Sequence, residues 1–184
     1  MDSKLQIISG EFRGRKLKLP DGARPTQNLA RGAIFNSLAA MLLEPFSEIH
    51  AWDVFAGSGA LGLEVLSRYR DSTVIFTDVS DASVRAVMEN VRNIDLARYK
   101  IDKSDAATRI QKYADQVNLV FVDPPYSEPN LGINFVDALA DSGFHGIVVQ
   151  EVENNVDYTP DATKWQILRD KKYGRARFLI MKKL

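Results

Sequence analysis

Apolar runs alternate with amphipathic segments through most of the chain, and this alternation predicts its secondary structure. From Ile49 onward there are five strand-like runs, which read HAWDVF, STVIFTD, RYKIDKSD, VNLVFVD and GIVVQEV. Between them lie helix-like segments around residues 60–69, 81–93, 106–113 and 130–141. Strands that alternate with helices form βαβ units, which build a parallel sheet with helices on both faces. The pattern therefore predicts a doubly wound α/β fold.

The C-terminal residues depart from this alternation. In KWQILRDKKYGRARFLIMKK, residues 164–183, two strand-like runs are joined through Gly174 without a helix between them. Strands joined by a short turn that contains glycine form an antiparallel hairpin, which we expect at the edge of the sheet. Together with the five earlier strands, the hairpin predicts a mostly parallel sheet of seven strands.

The N-terminal residues predict a smaller hairpin that is rich in basic side chains. LQIISGEFRGRKLKLP contains two short β-favouring runs, with Gly10 and Gly14 between and within them. Glycine favours the tight turns that a hairpin needs. The basic residues of this hairpin are Arg13, Arg15, Lys16 and Lys18.

A helix is predicted after this hairpin. Thr26, in the sequence RPT, is a favourable N-cap, and the helix that it starts would run to about Leu43. Its apolar face would contain Ile34, Leu38, Met41 and Leu42. We therefore expect two units: an appendage of hairpin and helix in residues 1–45, and the doubly wound domain in residues 46–184.

A glycine-rich loop follows the first predicted strand. DVFAGSGALG, residues 53–62, opens a helix, and Gly57, Gly59 and Gly62 allow a tight turn and close approach of the backbone to a ligand. Such a loop occurs in many nucleotide-binding folds and also as a plain connection from strand to helix. It lacks the Gly-Lys-Ser/Thr ending of a phosphate-binding P-loop.

Four successive predicted strands end in an aspartate, and these are Asp53, Asp78, Asp105 and Asp123. In a doubly wound sheet, ligands bind beyond the carboxyl ends of the strands. Asp78 lies about 20 residues after the glycine loop, where an acidic residue accepts hydrogen bonds from ribose hydroxyls. A helix cap is the simpler interpretation for Asp105, but four such aspartates in succession indicate a ligand site.

The composition is that of an ordinary globular protein, with 45% hydrophobic and 26% charged residues. The lack of cysteine excludes disulfides, thiolate nucleophiles and cysteine metal sites. His50 and His145 are distant from each other and lack carboxylates at ligand spacing, so we expect no metal site. No apolar run approaches the roughly 20 residues of a membrane span, and the first residues do not form a signal peptide. We expect a cytoplasmic location without membrane attachment.

Charge is unevenly distributed along a chain whose formal net charge is zero. Residues 1–31 hold seven Lys/Arg and three Asp/Glu, residues 164–184 hold eight and one, and residues 32–163 hold nine and twenty. The two ends are therefore at +4 and +7, and the middle is at −11. This describes either solvated termini around an acidic body or a basic surface for a polyanion such as nucleic acid.

The stretch LVFVDPPYSEP, residues 119–129, ends a buried strand with an aspartate, two prolines and a tyrosine. The chain thus has the order D-x-F-x-G-x-G, two acidic strand ends and then D-P-P-Y. This order resembles the class I S-adenosylmethionine-dependent methyltransferases that act on exocyclic or amide nitrogens. IISGEFRGRKL, RPT, IFNSL, DVFAGSGALGLEVLSR, FVDPPY and the late YG are similar, over nearly the whole chain, to the RsmD-type methyltransferases.

The resemblance implies transfer of a methyl group from S-adenosylmethionine to the exocyclic N2 amine of a guanine in small-subunit (16S) ribosomal RNA. A guanine amine is a poor nucleophile, because its lone pair is delocalised into the ring. Asp123 and the carbonyl of Pro124 would accept its two N–H bonds, while the prolines hold the loop rigid and Tyr126 stacks on the extruded base. Because the sulfonium already activates the methyl group, positioning would supply most of the rate without a metal.

The resemblance also assigns the remaining residues. Asp53, Gly57 and Gly59 would surround the methionine part of the cofactor, with Asp78 at the ribose and Asp105 near the adenine. The catalytic loop would be Asp123, Pro124, Pro125 and Tyr126. Arg13, Arg15 and Lys16 would contact phosphates of ribosomal RNA, the expected partner, within a small-subunit particle.

Two positions differ from the family pattern, and other activities stay open. Gly32 and Arg175 stand where the family usually has acidic residues.

The alternatives are methylation of adenine N6 in DNA, methylation of another amino group such as a protein glutamine amide, or a non-catalytic role as an RNA-binding ribosome assembly factor. Glutamine-directed members typically carry asparagine in place of Asp123, which argues against that target.

Overall fold

The computed structural model describes residues 5–21, 28–42 and 48–184. Within these ranges the strands are β1 (His50–Asp53), β2 (Thr73–Asp78), β3 (Tyr99–Lys103), β4 (Leu119–Val122), β5 (Ile147–Glu153), β6 (Trp165–Tyr173) and β7 (Ala176–Lys183). The α-helices are α1 (Asn28–Leu42), α2 (Ala60–Arg68), α3 (Asp81–Asn90), α4 (Ile110–Tyr113) and α5 (Pro129–Ala140). Short 3-10 helices occupy Leu96–Arg98, Ala106–Arg109 and Ala114–Gln116.

The seven strands form one sheet in the order β3-β2-β1-β4-β5-β7-β6. Neighbouring strands from β3 to β5 run parallel, whereas β7 is antiparallel to both β5 and β6. This confirms the predicted doubly wound, mostly parallel sheet with an antiparallel C-terminal hairpin. The strand order reverses between β1 and β4, so the crevice at their carboxyl ends is where this fold binds ligands.

Two apolar cores cover the two faces of the sheet, one beneath α1, α2 and α3 and the other beneath α4 and α5. Adjacent strand residues point to opposite faces, so Ala51 and Phe121 belong to the first core and Trp52 and Val120 to the second. The fully buried Trp52 packs edge-on against Phe135 of α5, with ring centroids 5.3 Å apart. Packing on both faces holds the central strands, and hence their carboxyl ends, in fixed positions.

The N-terminal hairpin is shorter than the sequence predicts. Its two arms form a single antiparallel bridge between Gln6 and Lys16, next to a 2.9 Å hydrogen bond from the Leu17 amide to the Leu5 carbonyl. Leu5 and Leu17 are buried in the first core. The arms therefore pack onto the body of the protein and do not build a longer β-ladder.

The turn of this hairpin docks on α2. The amides of Ile8 and Ser9 each donate a 3.0 Å hydrogen bond to the buried carboxylate of Glu64. Gly10 has φ +85, and a Cβ built there would lie 1.9 Å from the carbonyl oxygen of Ser67. Only glycine fits so close an approach of two backbones.

The structure confirms the predicted apolar face of α1. Ile34, Leu38 and Leu42 are buried, and Met41 packs against the same core. Gly32 lies inside α1, where a Cβ would meet only the Ile8 side chain at 3.9 Å, so the helix continues through it. The predicted cap Thr26, the helix end at Leu43 and the boundary after residue 45 lie outside the described residues. The division into two units stays a prediction.

Candidate active site

Acidic side chains line the carboxyl ends of four neighbouring strands. Asp53 and Asp78 end β1 and β2, Asp123 directly follows β4, and Glu151 lies near the end of β5. Three of them were predicted from the positions of the strand ends. Because β2, β1, β4 and β5 are adjacent in the sheet, these carboxyl groups form a row along the expected ligand crevice.

The glycine loop is fastened to the end of β2 by Asp78. The amide of Gly57 donates to Asp78 Oδ2 at 2.9 Å, and the amide of Ser80 donates to Oδ1 at 2.8 Å. Gly57 and Gly59 have φ of 55 and 76, in the left-handed region that favours glycine. A Cβ on Gly57 would meet only a backbone oxygen of Phe55 at 3.9 Å, so this part of the loop presents bare backbone to open space.

Asp53 lies beneath the same loop and is almost fully buried. Its Oδ2 accepts a 3.0 Å hydrogen bond from the amide of Gly62, in the first turn of α2. Burial raises the pKa of this carboxyl to about 7, and the negative charge of Asp78 also raises it, while the Gly62 bond opposes the shift. The side chain therefore holds the start of α2 at a considerable cost in desolvation.

Asp105 begins the 3-10 helix that follows β3. Its side chain accepts a 2.9 Å hydrogen bond from the amide of Ala107, and its carbonyl accepts from the amide and hydroxyl of Thr108. The carboxylate is exposed. The structure thus shows that Asp105 caps the helix, which was the simpler interpretation of the sequence. A contact between Asp105 and the adenine of a cofactor stays a prediction.

The predicted catalytic loop connects β4 to α5. Asp123 is half-buried, Pro124 is buried, and Pro125 and Tyr126 are exposed. The loop packs closely on Gly132 of α5. A Cβ built on Gly132 would lie only 2.8 Å from the Pro124 ring, so the contact leaves no room for a side chain. The loop is therefore closely packed at Pro124, and Pro124, Pro125 and Tyr126 line the neighbouring crevice.

Glu151 is the first of two site residues that the sequence analysis missed. It is 5% exposed, accepts a hydrogen bond from the Tyr126 hydroxyl and shares a side-chain hydrogen bond with Asp123. Burial raises the pKa of Glu151, while its hydrogen bonds with Tyr126 and Asp123 oppose the shift. Burial together with the bond to Glu151 raises the pKa of Tyr126. The crevice beside it is lined by Pro124, Pro125, Tyr126, Glu151, Val152 and Glu153. The available signal was an acidic residue near a strand end, in the run GIVVQEV.

The three predicted RNA-contacting residues lie on the N-terminal hairpin, against α2 and α3. Arg13 and Lys16 are exposed. The guanidinium of Arg15 lies 4.4 Å from the ring centroid of Phe12, and its Nη1 is 3.4 Å from the carbonyl oxygens of Asn90 and Arg92. Arg15 is therefore partly engaged in holding the hairpin on the end of α3.

A second missed residue, Asn90, joins the hairpin to the glycine loop. Its Nδ2 donates to the carbonyls of Lys18 and Ser58, both at 2.9 Å, and its Oδ1 accepts from the Lys18 amide at 2.8 Å. The side chain is buried. The basic hairpin is thereby tied to the loop that follows β1, on the α2–α3 face of the sheet.

Arg175, one of the two departures from the family pattern, lies beside the crevice. Its Nη2 donates to Glu153 Oε1 at 2.9 Å, and the Arg175 side chain is 74% exposed. Together with Asn154, Asn155 and Gly174, this ion pair lines an open cavity of about 330 Å³. Glu153 also lines the crevice next to Tyr126, so the turn between β6 and β7 borders the catalytic loop.

The described residues contain no group of three or more His, Asp or Glu side chains that could hold a metal ion. His50 has a partner on the neighbouring strand, because its Nδ1 lies 2.8 Å from the Thr73 hydroxyl.

No helix in the described ranges is long and apolar enough to cross a membrane.

Comparison with known proteins identifies the family of this chain. A family model described as conserved hypothetical protein 95 matches residues 5–182. The chain belongs to this family. Ribosomal RNA small subunit methyltransferase D of Escherichia coli (strain K12) is 32% identical over 182 residues, which cover 95% of this chain and 88% of that protein. The Haemophilus influenzae protein of the same name is 25% identical over 181 residues, covering 93% and 90%.

Solved structures share the fold over the full length. The structure of yhhF from Escherichia coli has a TM-score of 0.81 and 31% sequence identity, and the match covers 97% of each chain. The family match, the curated relatives and this structure agree with the class I, Rossmann-like architecture described above. This member of the conserved hypothetical protein 95 family is a methyltransferase.

Proposed function

We propose that the protein transfers the methyl group of S-adenosylmethionine to the exocyclic N2 amine of a guanine in 16S ribosomal RNA. The observation that carries the proposal is the rigid Asp123-Pro124-Pro125-Tyr126 loop, which sits at the sheet's switch point beside a glycine loop fastened by Asp78. The name of the Escherichia coli relative supports a small-subunit ribosomal RNA substrate. An RNA of this kind, within a small-subunit particle, also implies that the protein works in the cytoplasm.

The residues at the ends of β1 and β2 fit the proposed cofactor. The bare backbone at Gly57 leaves room for the methionine part, where a side chain would intrude. Each oxygen of Asp78 accepts one backbone hydrogen bond and retains a lone pair for a ribose hydroxyl. Bound there, S-adenosylmethionine would supply a methyl group activated by a sulfonium. The ionised form of Asp53 would offset its positive charge from beneath the loop.

The catalytic loop would orient the target amine. The carboxylate of Asp123 and the carbonyl of Pro124 accept the two N–H bonds and turn the nitrogen lone pair out of the guanine plane. The nitrogen would form its new bond to the methyl carbon as the bond from that carbon to the donor sulfur breaks, which leaves the neutral thioether S-adenosylhomocysteine, and one proton would pass from the nitrogen to the Asp123 carboxylate or to water. The exposed face of Tyr126 offers a stacking surface for the extruded base. Most of the rate would come from this positioning.

The most general test is incubation with labelled S-adenosylmethionine and separate RNA, DNA and protein fractions, followed by nucleoside and amino-acid analysis. We expect label in RNA, as N2-methylguanosine. Label in DNA as N6-methyladenine, or in protein as methylglutamine, would show that the same loop serves another amino group. Cofactor binding without transfer to any fraction would favour a non-catalytic role.

We expect Asp78→Ala to weaken S-adenosylmethionine binding. The change removes the proposed ribose acceptor and also the partner of the Gly57 amide, at a cost of about 1–3 kcal/mol if the bond is buried. Isothermal titration calorimetry measures the effect. Asp95→Ala is the matched control, because Asp95 likewise accepts a bond from the amide two residues ahead but caps an exposed 3-10 helix. Equal affinities for the wild type and Asp78→Ala would rule out the ribose assignment.

Replacing Arg13, Arg15 and Lys16 with alanine should raise the KM for RNA and leave cofactor affinity unchanged. Phosphate contacts orient RNA without reading its sequence, and each lost contact should reduce the salt dependence of binding by a slope of about 0.7–0.9. Rates measured against RNA concentration at several salt concentrations give both quantities. A control variant removes three exposed cations of the edge strand, Arg169, Lys171 and Lys172. Equal changes in the KM for RNA and in its salt dependence in the two variants would mean that the hairpin does not contact the RNA specifically.

A further inference from the structure

Glu151 occupies a defined position beside the catalytic aspartate. In the parallel pairing of β4 with β5, Val122 lies opposite Gln150, so the next residues, Asp123 and Glu151, lie alongside each other. On its other side Glu151 faces Phe178 of β7. Glu151 thus has a paired strand on each side, and only 5% of the residue is exposed.

Two groups of the catalytic loop converge on this carboxyl. The Tyr126 hydroxyl donates a hydrogen bond to Glu151 Oε1, and a side-chain hydrogen bond joins Asp123 to Glu151. Two carboxyl groups in contact do not both ionise readily, because their like charges repel. A hydrogen bond between them also requires a proton on one of the two. Burial raises the pKa of Glu151, and its bonds with Tyr126 and Asp123 oppose the shift, so the pair holds one proton between its two carboxyl groups.

We propose that Glu151 is a positioning residue for methyl transfer: it is hydrogen-bonded to Asp123 and to Tyr126 and holds both in the orientation that receives the amine. The inference rests on the proposed function of the loop and adds a residue to it. Glu151 touches neither the amine nor the methyl donor. It acts through the two residues that do.

The hydrogen bonds of Glu151 with Asp123 and Tyr126 explain why a carboxyl group is suited to position 151. Asp123 serves the amine only if it remains an acceptor, and a donor on its far side leaves one of its oxygens free for the N–H. Tyr126 follows two prolines and has an exposed ring, so its hydroxyl is the end that fixes the ring. A carboxyl group that shares a proton with its neighbour can take part in one bond to Asp123 and accept a second from Tyr126, which matches these two needs.

Glutamine has the same donor and acceptor capacity without a titratable proton. In Glu151→Gln, the amide nitrogen donates to Asp123 and the amide oxygen accepts from Tyr126. In Glu151→Ala both bonds are lost, and the loop loses its support beneath the crevice. The positioning role therefore predicts a large difference between two variants at one site.

The test compares kcat, the KM for RNA and the cofactor dissociation constant in wild type, Glu151→Gln and Glu151→Ala. We expect Glu151→Ala to lose about a hundredfold in kcat, the size of effect that misplacement by an ångström produces, with cofactor affinity nearly unchanged. Glu151→Gln should retain kcat within about fivefold. Tyr126→Phe, combined with Glu151→Ala, should show less than additive losses, because the two changes remove a shared bond.

A matched control removes another tyrosine–carboxylate pair. The Tyr113 hydroxyl donates to Asp102 Oδ2 at 2.6 Å on β3, so Asp102→Ala should lower stability without lowering kcat. Glu151→Gln as inactive as Glu151→Ala, or Glu151→Ala with wild-type kcat, would overturn the proposal. If the wild type methylates DNA adenine and not RNA, the proposed substrate is wrong. The kcat values of Glu151→Gln and Glu151→Ala on DNA would still decide the role of Glu151.

Discussion

Asp123→Ala should lose at least about a hundredfold in kcat and bind S-adenosylmethionine almost as tightly as the wild type. Removing one preorganised hydrogen-bond partner of a reacting group typically costs this much or more. The Asp123 carboxylate lies next to Glu151 and Tyr126, where we propose that the amine binds. The proposed cofactor contacts lie at Gly57 and Asp78, which are hydrogen-bonded to each other. Initial rates at saturating cofactor, together with calorimetry, separate the two effects.

Two further variants define the reason for the loss. Asp123→Asn keeps one carbonyl acceptor and should fall between the wild type and alanine. Asp95→Ala, at an exposed helix cap, should retain the wild-type rate. A wild-type kcat for Asp123→Ala would remove Asp123 from the mechanism, and a matching loss of cofactor affinity would move it to the donor site.

Asp53→Asn should be more stable than the wild type above pH 7, by up to about 4 kcal/mol for a pKa displaced by about three units. Burial raises the pKa of Asp53 in the folded protein to about 7, whereas the unfolded chain keeps the ordinary value. Between these two values the unfolded state releases a proton that the folded state retains, so the wild type loses stability as the pH rises from about 4 to 7. Asparagine still accepts from the Gly62 amide and has no such loss.

Urea unfolding at several pH values from 4.5 to 8, analysed as the free energy of unfolding, provides the measurement. The difference between Asp53→Asn and the wild type should be small near pH 4.5 and should grow to its full size above pH 7. Asp95→Asn should follow the wild-type curve throughout. Parallel curves for Asp53→Asn and the wild type would show that the buried carboxyl is not the source of the pH dependence.

The fold and three of the site carboxylates were predictable because they follow from local pattern and one topological rule. Alternating strands and helices specify a doubly wound sheet, and ligands bind where its strands end. Asp53, Asp78 and Asp123 stand at those ends in the sequence itself. The D-P-P-Y motif needed no knowledge of the tertiary structure, because its prolines and their neighbours are contiguous.

Glu151 was not predictable in the same way, because its role depends on the register between two strands. GIVVQEV is typical of a buried strand, and nothing within it shows that Glu151 lies alongside Asp123. Asn90 presents the same difficulty, since it joins Lys18 to Ser58 across 72 and 32 residues of chain. Long-range side-chain contacts of this kind appear only when the elements are packed.

The N-terminal hairpin shows how tertiary contacts override a local prediction. Its glycines were correctly associated with turns, but Gly10 serves a close approach to Ser67 on α2 and ends the β-ladder. Arg31 is a second case, since a charged residue on a predicted helix is expected at the surface. It is instead fully buried, next to the carboxylate of Glu64, and burial lowers the pKa of its guanidinium.

The most direct test of the account is methylation of unmodified small-subunit particles, with the ribosomal RNA then digested to nucleosides and analysed by mass spectrometry. The wild type and S-adenosylmethionine should produce N2-methylguanosine in the 16S RNA, and Asp123→Ala should produce almost none in the same time. Methylation of another base, of another atom of guanine or of no RNA at all by a folded, cofactor-binding protein would contradict the proposed function.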